Sequence, residues 1–321
     1  MSLIDVFNGD ADGLCALHQL RLDLPAESLL VTGTKRDIGL LKRVEAKTGD
    51  LVTVLDISLA KNRDALDRLL AAGARVRYFD HHQPGDIPMH PYFEPYIDTD
   101  ANICTSLLVN RYLQGRQLPW AVTAAFGDNL TESARQAAAP LGLTADQLAQ
   151  LQSLGECLNY NGYGETLDDL FFDPADLYRQ VRPFADPFLF IAESPAYQTL
   201  KAGYQEDMAR AKDVLATETR AAGRIFMLPA EKWARRISGV FGNQLAVASP
   251  AQAHAVLTAK PGGGYVVSVR APLVAKTGAN DLCNRFDSGG GRKGAAGINH
   301  LPESELDRFI KTFFAVFSGA E

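Results

Sequence analysis

Paired cysteines and long apolar runs are both missing from this sequence of 321 residues. The four cysteines stand singly, without a Cys-x-x-Cys pair, which excludes a zinc ribbon and a dithiol redox site. No apolar run is long enough to span a bilayer, so we expect no membrane contact. The N-terminus also lacks a basic region followed by an apolar stretch, so we expect no signal peptide. Together these absences predict a cytoplasmic protein with reduced thiols.

An excess of positive charge is also missing. The chain has 32 Lys and Arg residues against 38 Asp and Glu residues, which gives a formal net charge of −6. Proteins that coat long nucleic acid are usually basic, so we expect no coating of long DNA. Any nucleic-acid contact should be local, with a short substrate in a charged pocket. With 46% hydrophobic residues, the chain is long enough for two domains that each have a core.

The first eighty residues alternate between strand-like and helix-like segments. The predicted strands are Leu3–Phe7, Leu29–Thr32, Leu51–Ile57 and Arg75–Phe79. The predicted helices between them are Leu14–Leu22, Ile38–Lys47 and Asn62–Ala72. Such alternation favours right-handed βαβ units and a mainly parallel sheet. In sheets of this kind the ligand binds beyond the carboxyl ends of the strands.

The remainder of the chain predicts a helical stretch and then a second, smaller α/β domain. Helices are predicted over Ser106–Tyr112 and Tyr197–Leu215, while Ala121–Phe126 fits a short strand or a helix. Gly223 is predicted to end the long helix. The elements expected after it are strands Ile225–Leu228, Ala255–Ala259 and Tyr265–Val269, a helix around Asn243–Ala248 and a glycine-rich loop, Gly289–Gly297. The predicted domains are residues 1–190 and 224–321, joined by a linker helix over 191–223.

Acidic residues and histidines follow the predicted strands at their carboxyl ends. They are Asp10 and Asp12 after the first strand, Asp56 after the third, and Asp80-His81-His82 at the end of the fourth. Asp12 or Asp56 alone is more typical of a helix cap than of a ligand. Two histidines directly after an aspartate, beside further strand-end carboxylates, are harder to explain by capping. Carboxylates that converge at one edge repel each other unless cations lie between them, so the pattern predicts a metal site.

The residue types at this edge also indicate which metal is bound. Carboxylates mixed with imidazoles suit Mn²⁺, Mg²⁺, Fe²⁺ or Co²⁺ better than structural zinc, which draws on thiolates. The candidate ligands exceed what one ion needs, so two ions that share a carboxylate are the simplest prediction. Paired ions about 3.5–4 Å apart hydrolyse phosphoesters by activating water and binding the phosphoryl oxygens. The pattern therefore indicates a phosphoesterase.

Four ordered motifs and a glycine-rich loop resemble the DHH phosphoesterase family. The motifs are Asn8-Gly9-Asp10-Ala11-Asp12-Gly13, Asp56, Asp80-His81-His82 and Gly127-Asp128. The C-terminal segments Ser268-Val269-Arg270 and Gly289–Gly297 resemble the associated DHHA1 domain. The resemblance covers nearly the whole chain and implies an α/β fold. In that fold a mainly parallel DHH domain, a long linker helix and a smaller α/β DHHA1 domain place the active site in the interdomain cleft.

The resemblance also implies roles for individual residues. The residues that match metal ligands are Asp10, Asp12, Asp56, His81 and Asp128, with Asp56 in the bridging position. His82 matches a catalytic residue that faces the scissile phosphate, and Asp80 matches a position that orients a ligand histidine. The residues that match substrate-holding positions are Arg270, Gly289, Gly290, Gly291 and Arg292. Asp98 and Asp100 are lower-ranked alternatives to Asp128.

Two positions depart from the family pattern. Many members have a metal-binding histidine four residues before the first aspartate of motif I, where this chain has Val6. This implies a more loosely held ion, or compensation by Asn8 or water. The Gly-Gly-Gly-His loop of the family has Arg292 in place of histidine here. Arginine keeps a donor, adds a fixed charge and loses the stacking and titration of imidazole, which implies a different substrate preference.

The resemblance implies a hydrolase that acts on short oligonucleotides or nucleotides. It also implies two Mn²⁺ ions, with Mg²⁺ or Co²⁺ as substitutes, and a metal-activated water that attacks phosphorus. A polyphosphate or pyrophosphate hydrolase is the first alternative, because such an enzyme needs no base pocket. A nucleotide-binding sensor with a weakened metal site is the second, and Val6 motivates it. The sequence is compatible with a homodimer.

Overall fold

The computed structural model describes residues 1–318, and the chain divides into two compact units with the boundary between Ala202 and Gly203. Each unit contains its own β-sheet. Within residues 1–318, no helix combines the length and the apolar character needed to cross a bilayer.

A five-stranded parallel sheet forms the centre of the first unit. Its strands are β1 (Leu3–Phe7), β2 (Leu29–Val31), β3 (Leu51–Leu55), β4 (Arg75–Asp80) and β5 (Phe93–Ile97). They pair in the order β2-β1-β3-β4-β5, and every pair is parallel. The predicted parallel sheet is confirmed. The sequence pattern does not predict β5, because this edge strand contains Pro95, which cannot donate to a neighbouring strand.

The register of this sheet aligns the ends of its central strands. Phe7 of β1 pairs with Leu55 of β3, and Leu55 pairs in turn with Phe79 of β4. The residues that follow these three positions therefore leave the sheet side by side at one edge. Asp56 and Asp80 are both at this edge, as the strand pattern predicts.

Helices occupy most of the chain between and after these strands. They are α1 (Ala11–Asp23), α2 (Arg63–Ala71), α3 (Thr105–Tyr112), α4 (Leu118–Gly127), α5 (Thr131–Ala138), α6 (Ala145–Gly162), α7 (Pro174–Val181), α8 (Pro187–Glu193) and α9 (Pro195–Lys212). Residues 11–20 of α1 are all buried, because this helix packs against α3, α4 and α6. The segment Ala121–Phe126 lies within α4, so it is helical rather than a strand.

A tertiary contact shortens the helix predicted over residues 38–47. Only one 3₁₀ turn forms there, over Leu40–Arg43. The side chain of Asn62 donates to the carbonyl of Ile38 at 2.6 Å and accepts from the N–H of Leu41 at 3.3 Å. The prediction was wrong because these bonds to a distant side chain satisfy backbone groups that a helix would otherwise pair.

A six-stranded mixed sheet forms the second unit. Its strands are β6 (Ala216–Arg220), β7 (Gly223–Leu228), β8 (Ala253–Ala259), β9 (Tyr265–Arg270), β10 (Gly289–Gly291) and β11 (Ala295–Leu301). They pair in the order β10-β11-β9-β8-β7-β6, and only the β7–β8 pair among them is parallel. The helices are α10 (Lys232–Ala248), α11 (Ala279–Cys283) and α12 (Leu306–Ser318). Phe309 and Phe313 of α12 share a core with Leu257 and Val267 of the sheet.

Three predictions for this part of the chain were wrong in detail. The helix α9 ends at Lys212, short of the predicted 191–223, and β6 follows it. Gly223 begins β7 instead of ending a helix, because β6 and β7 form an antiparallel pair. The glycine-rich segment Gly289–Gly297 contributes to a strand pair rather than to an open loop, since β10 pairs with β11.

Candidate metal centre

Asp56 lies directly after β3, with a backbone φ of 59°. This left-handed conformation is uncommon outside glycine, and residues held in it cluster at functional sites. The N–H of Asp56 donates to the carbonyl of Phe79 at 3.0 Å, which ties the turn to β4. The hydroxyl of Thr105 donates to Asp56 Oδ1 at 3.2 Å. Contacts to two other segments therefore hold the buried carboxylate in place.

The two histidines that follow β4 lie beside this carboxylate. His81 Nε2 is 3.4 Å from Asp56 Oδ1, and His82 Nδ1 is 4.0 Å from the same oxygen. Each of the three residues offers a ligand atom, and these atoms all lie within 4.8 Å of one another. We call Asp56, His81 and His82 the Asp–His cluster. A carboxylate with two imidazoles is a donor set that suits a divalent transition metal.

Asp80 and Ile103 orient the two imidazoles. Asp80 Oδ1 accepts from His82 Nδ1 at 2.7 Å and from the backbone N–H groups of His81 and His82 at 2.9 and 3.2 Å. His81 Nδ1 donates to the carbonyl of Ile103 at 2.8 Å, which leaves Nε2 directed toward Asp56. Asp80 is therefore paired with His82, while a backbone carbonyl holds His81.

Asp12 lies in the first turn of α1 and reaches the N-terminus of α3. Its Oδ2 accepts from the N–H of Thr105 and its Oδ1 from the N–H of Ser106, both at 2.7 Å. Because Thr105 also donates its hydroxyl to Asp56, it connects the two carboxylates. Each carboxylate oxygen has a further lone pair, so these hydrogen bonds still allow Asp12 to bind a metal.

Asp10 caps α1 and pairs with a lysine that the sequence pattern does not predict. Its Oδ1 accepts from two N–H groups in the first turn of α1, at 3.0 and 3.1 Å. Its Oδ2 accepts from Lys35 Nζ at 2.5 Å. The same ammonium donates to Asn159 Oδ1 at 2.9 Å and lies 3.6 Å from Asp128 Oδ1. Asp10 and Asp128 are therefore together, with Lys35 between them.

Burial and crowding change the pKa values in this site. Burial raises the pKa of Asp56 to about 8, and repulsion from Asp12 and Asp10 adds to the increase, while His81 opposes it. Burial lowers the pKa of His81, but the hydrogen bond to Asp56 and the attraction of Asp56, Asp128 and Asp12 outweigh it and raise that pKa to about 10. The site therefore favours added positive charge, which a divalent cation would supply.

The alternative aspartates, Asp98 and Asp100, organise the loop after β5. The N–H of Asp100 donates to Asp98 Oδ1 at 3.1 Å, and Arg111 donates to Asp98 Oδ2 at 3.2 Å. These bonds belong to an exposed loop, whereas Asp128 lies 3.6 Å from Lys35 Nζ. Asp128 is thus the aspartate that the structure brings next to Asp10 and Lys35.

Arg270 ends β9 in the second unit, and its guanidinium donates to four neighbours, one of which is the carbonyl of Val269, at 3.0 Å from Nη1. Nε donates to Asn243 Oδ1 at 2.5 Å, Nη1 donates to Ser268 Oγ at 3.0 Å, and Nη2 donates to the carbonyl of Gly239 at 3.1 Å. Arg292 follows β10 and is exposed. A guanidinium fixed in one orientation loses little side-chain entropy when it binds an anion.

The three glycines of β10 differ in whether the surrounding structure leaves room for a side chain. A Cβ at Gly289 would lie 1.8 Å from the carbonyl oxygen of Cys283. Gly291 has φ of 139°, and a Cβ there would lie 2.5 Å from Ala296 Cα. A Cβ at Gly290 would have no heavy atom within 4 Å. The fold therefore requires glycine at 289 and 291, but packing does not require it at 290.

Comparisons with known proteins give matches to solved structures. No protein-family model and no curated protein sequence matches the chain. An exonuclease RecJ bound to manganese is similar with a TM-score of 0.61 and 17% identity, over 99% of this chain and 90% of RecJ. The pGpG-specific phosphodiesterase PggH from Vibrio cholerae is similar with a TM-score of 0.59 and 14% identity, over 100% of both chains. RecJ from Thermus thermophilus in complex with Mn²⁺ has a TM-score of 0.57 and 17% identity, over 100% of this chain and 52% of that one.

These likenesses show the fold. The chain has the two-unit α/β architecture of RecJ and PggH, with a parallel sheet followed by a mixed sheet. The resemblance to DHH phosphoesterases is thus confirmed at the level of the fold. Both neighbours are, by name, enzymes that cleave phosphodiesters, one an exonuclease and the other a phosphodiesterase. An active site between the two units stays a prediction.

Proposed function

We propose that this protein is a divalent-metal-dependent phosphoesterase that hydrolyses phosphoester bonds of short oligonucleotides or nucleotides. The observation that carries the proposal is the Asp–His cluster, whose ligand atoms lie within 4.8 Å of one another where strands of a parallel sheet end. The fold shared with an exonuclease and a phosphodiesterase supports the same reaction class. Mn²⁺ is the proposed ion, with Mg²⁺ or Co²⁺ as substitutes, because the donors are carboxylates and imidazole.

The residues around Asp56 provide the ligands for such an ion. Asp56 and His81 would hold it, and Asp12 is a further ligand that Thr105 connects to Asp56. A bound divalent ion supplies a water of lowered pKa and polarises a phosphoryl oxygen. Ile103 keeps the Nε2 of His81 directed at the site. The chain therefore fixes its ligands before the ion arrives.

His82 is positioned to act on the phosphoryl group. Its side chain is 43% exposed, and its Nδ1 is bound to Asp80. Burial lowers the pKa of His82, but the hydrogen bond and the charge of Asp80 outweigh it and raise that pKa. The protonated imidazole donates from Nε2 to a phosphoryl oxygen or to the leaving-group oxygen.

The second domain, residues 224–321 beyond the linker, holds the remainder of the substrate in this proposal. Arg270 has a fixed guanidinium that can bind a phosphate, and Arg292 adds an exposed positive charge. Gly290 leaves space where a backbone can approach a ligand closely. Local contacts of this kind agree with a short substrate and a net negative chain.

A hydrolysis panel with Mn²⁺ tests this function. The substrates are dinucleotides, longer single strands, 3′-phosphoadenosine phosphate, cyclic dinucleotides and polyphosphate. We expect Mn²⁺-stimulated turnover of at least one short nucleotide substrate. Asp56→Asn should reduce this turnover by about 10²–10³-fold, because it removes a charged ligand from the centre.

Asp98→Asn is the matched control, since Asp98 also follows a strand of the same sheet but belongs to an exposed loop. It should retain wild-type turnover. Hydrolysis of polyphosphate alone would establish the polyphosphate hydrolase instead. Nucleotide binding without turnover of any substrate would contradict the enzymatic proposal and support the sensor.

A further inference from the structure

Lys35 stands at the centre of a set of oxygens that would otherwise suit a cation. Its Nζ lies 2.5 Å from Asp10 Oδ2, 2.9 Å from Asn159 Oδ1 and 3.6 Å from Asp128 Oδ1. The ring of Tyr163 is on a further side, with its centroid 5.5 Å from Nζ. Carboxylate and amide oxygens at such positions are typical ligands of hard divalent cations. Here an ammonium group occupies the middle of the set.

The backbone fixes Lys35 in this position. Its N–H donates to the carbonyl of Gly162 at 2.8 Å, and its carbonyl accepts from Asn8 Nδ2 at 3.5 Å. The side chain is 23% exposed, so it is largely enclosed by its partners. Lys35 is therefore built into the site and is not a surface lysine that reaches in from solvent.

The charges around the centre separate into two groups. Asp56 lies 3.4 Å from His81 Nε2 and is linked to Asp12 through Thr105, and these two carboxylates carry the charge that one divalent ion would neutralise. Asp10 and Asp128 face Lys35 instead. A second divalent ion between these two carboxylates would meet the ammonium at short distance, where like charges repel strongly.

We propose that the ammonium of Lys35 takes the place of the second cation, so that the centre binds one divalent ion per chain. This inference rests on the proposed function and corrects the number of ions that the ligand count alone predicts. The single ion lies with Asp12, Asp56 and His81. Lys35 is a positioning residue, which acts by holding Asp10 and Asp128.

Val6 is consistent with a single ion. This residue lies in β1, is 0% exposed and belongs to an apolar core with Val52 and Val54. Its side chain therefore adds no ligand atom to the Asp10 side of the site. The Lys35 side of the site has a positive charge beside Asp10 and Asp128 and receives no ligand atom from residue 6.

Metal stoichiometry tests the proposal. The metal-free full chain is titrated with Mn²⁺ by calorimetry, and the electron paramagnetic resonance spectrum of the bound Mn²⁺ is recorded. The wild type should bind one ion per chain and give the spectrum of an isolated ion. Lys35→Met removes the charge and should bind two ions per chain with the spectrum of a magnetically coupled pair.

Lys42→Met is the matched control, because Lys42 is an exposed lysine of the same segment. It should bind one ion. If Lys35→Met does not fold, Lys35→Gln, which retains a polar group next to Asp10, replaces it. A coupled pair of ions in the wild type would overturn the inference, and so would a single ion in a folded Lys35 variant. A wild type that binds no Mn²⁺ would overturn the proposed function itself.

Discussion

At the scale of single residues, neighbours decide what each aspartate does. Asp56 has a left-handed backbone and faces His81 Nε2 at 3.4 Å. Asp12 accepts hydrogen bonds from two backbone N–H groups at the start of α3. Asp10 caps α1 with one oxygen and binds Lys35 with the other. Three residues of one type therefore have three environments, and only the first directly faces an imidazole of the Asp–His cluster.

We expect His81 and His82 to have different functions, with His81 binding the ion and His82 acting in catalysis. His82→Ala should lower kcat by about 10²–10⁴-fold, because it removes the proposed proton donor. It should leave Mn²⁺ binding intact, because Asp12, Asp56 and His81 remain. Steady-state kinetics and a Mn²⁺ titration of the same preparation measure both effects.

The matched control for this prediction is His90→Ala, which changes a half-buried histidine on the loop before β5. It should retain both kcat and Mn²⁺ binding. If His82→Ala lost the ion and His81→Ala retained it, the roles assigned to the two histidines would be reversed.

At the scale of elements, β10 is a strand of three glycines that is stabilised by pairing with β11. Glycine disfavours strands, so the sequence predicts a loop here. The structure pairs Gly289 with Ile298 and Gly291 with Ala296 of β11. Contacts made by β11 and the close approach of Cys283 thus determine the conformation of this segment.

Adjacent glycines of β10 should respond differently to the same substitution. Gly289→Ala should destabilise the protein by about 1–3 kcal/mol, because its Cβ would overlap the carbonyl oxygen of Cys283. Gly290→Ala should leave the melting temperature unchanged, because its Cβ meets open space. It should raise KM, because the methyl group would keep the substrate away from the backbone. Thermal unfolding and Michaelis kinetics of the two variants measure these effects, and an unchanged KM for Gly290→Ala would argue against substrate binding at β10.

At the scale of the whole molecule, each unit contains a buried histidine with a lowered pKa. Burial lowers the pKa of His18 to about 4, which its hydrogen bond to the carbonyl of Phe184 only partly opposes. Burial and the nearby charge of Arg224 lower the pKa of His254 to about 4. Both side chains are 0% exposed. Each must be neutral in the folded state and can bind a proton more readily after unfolding.

The contribution of these two histidines to stability should therefore fall as the pH falls from 6.5, the pKa of histidine in the unfolded chain, toward 4. The unfolded chain binds protons in this window while the folded histidines stay neutral, so acid favours unfolding. For His18 the loss should reach about 3 kcal/mol at the acid end of the window. Urea unfolding at a series of pH values measures it.

His18→Phe cannot titrate at this position and should give a flatter dependence of the unfolding free energy on pH than the wild type. His90→Asn, at a half-buried loop position, should keep the wild-type dependence. Equal slopes for the wild type and His18→Phe would contradict the lowered pKa of His18.

The parallel sheet, and the location of the candidate ligands at the ends of its strands, could be predicted from sequence because their signals are local. Leu3–Phe7 is a short apolar run, and the structure has β1 at the same residues. Asp56 and Asp80 lie at strand ends, and parallel strands bring those ends to one edge. The prediction of a helix over residues 38–47 was wrong because Asn62, a residue outside the segment, forms hydrogen bonds with backbone groups of the segment.

The sequence by itself determined the fold class, the order of the motifs and the acidic edge with its two histidines. Only the tertiary structure decided which charged side chains at that edge pair with one another. Lys35 meets Asp10 and Asn159 across 25 and 124 residues of chain. No periodicity or motif encodes such a contact, because it depends on how helices pack beside a sheet. Packing therefore placed a permanent cation beside Asp10 and Asp128, and left Asp56 and His81 as the proposed metal ligands.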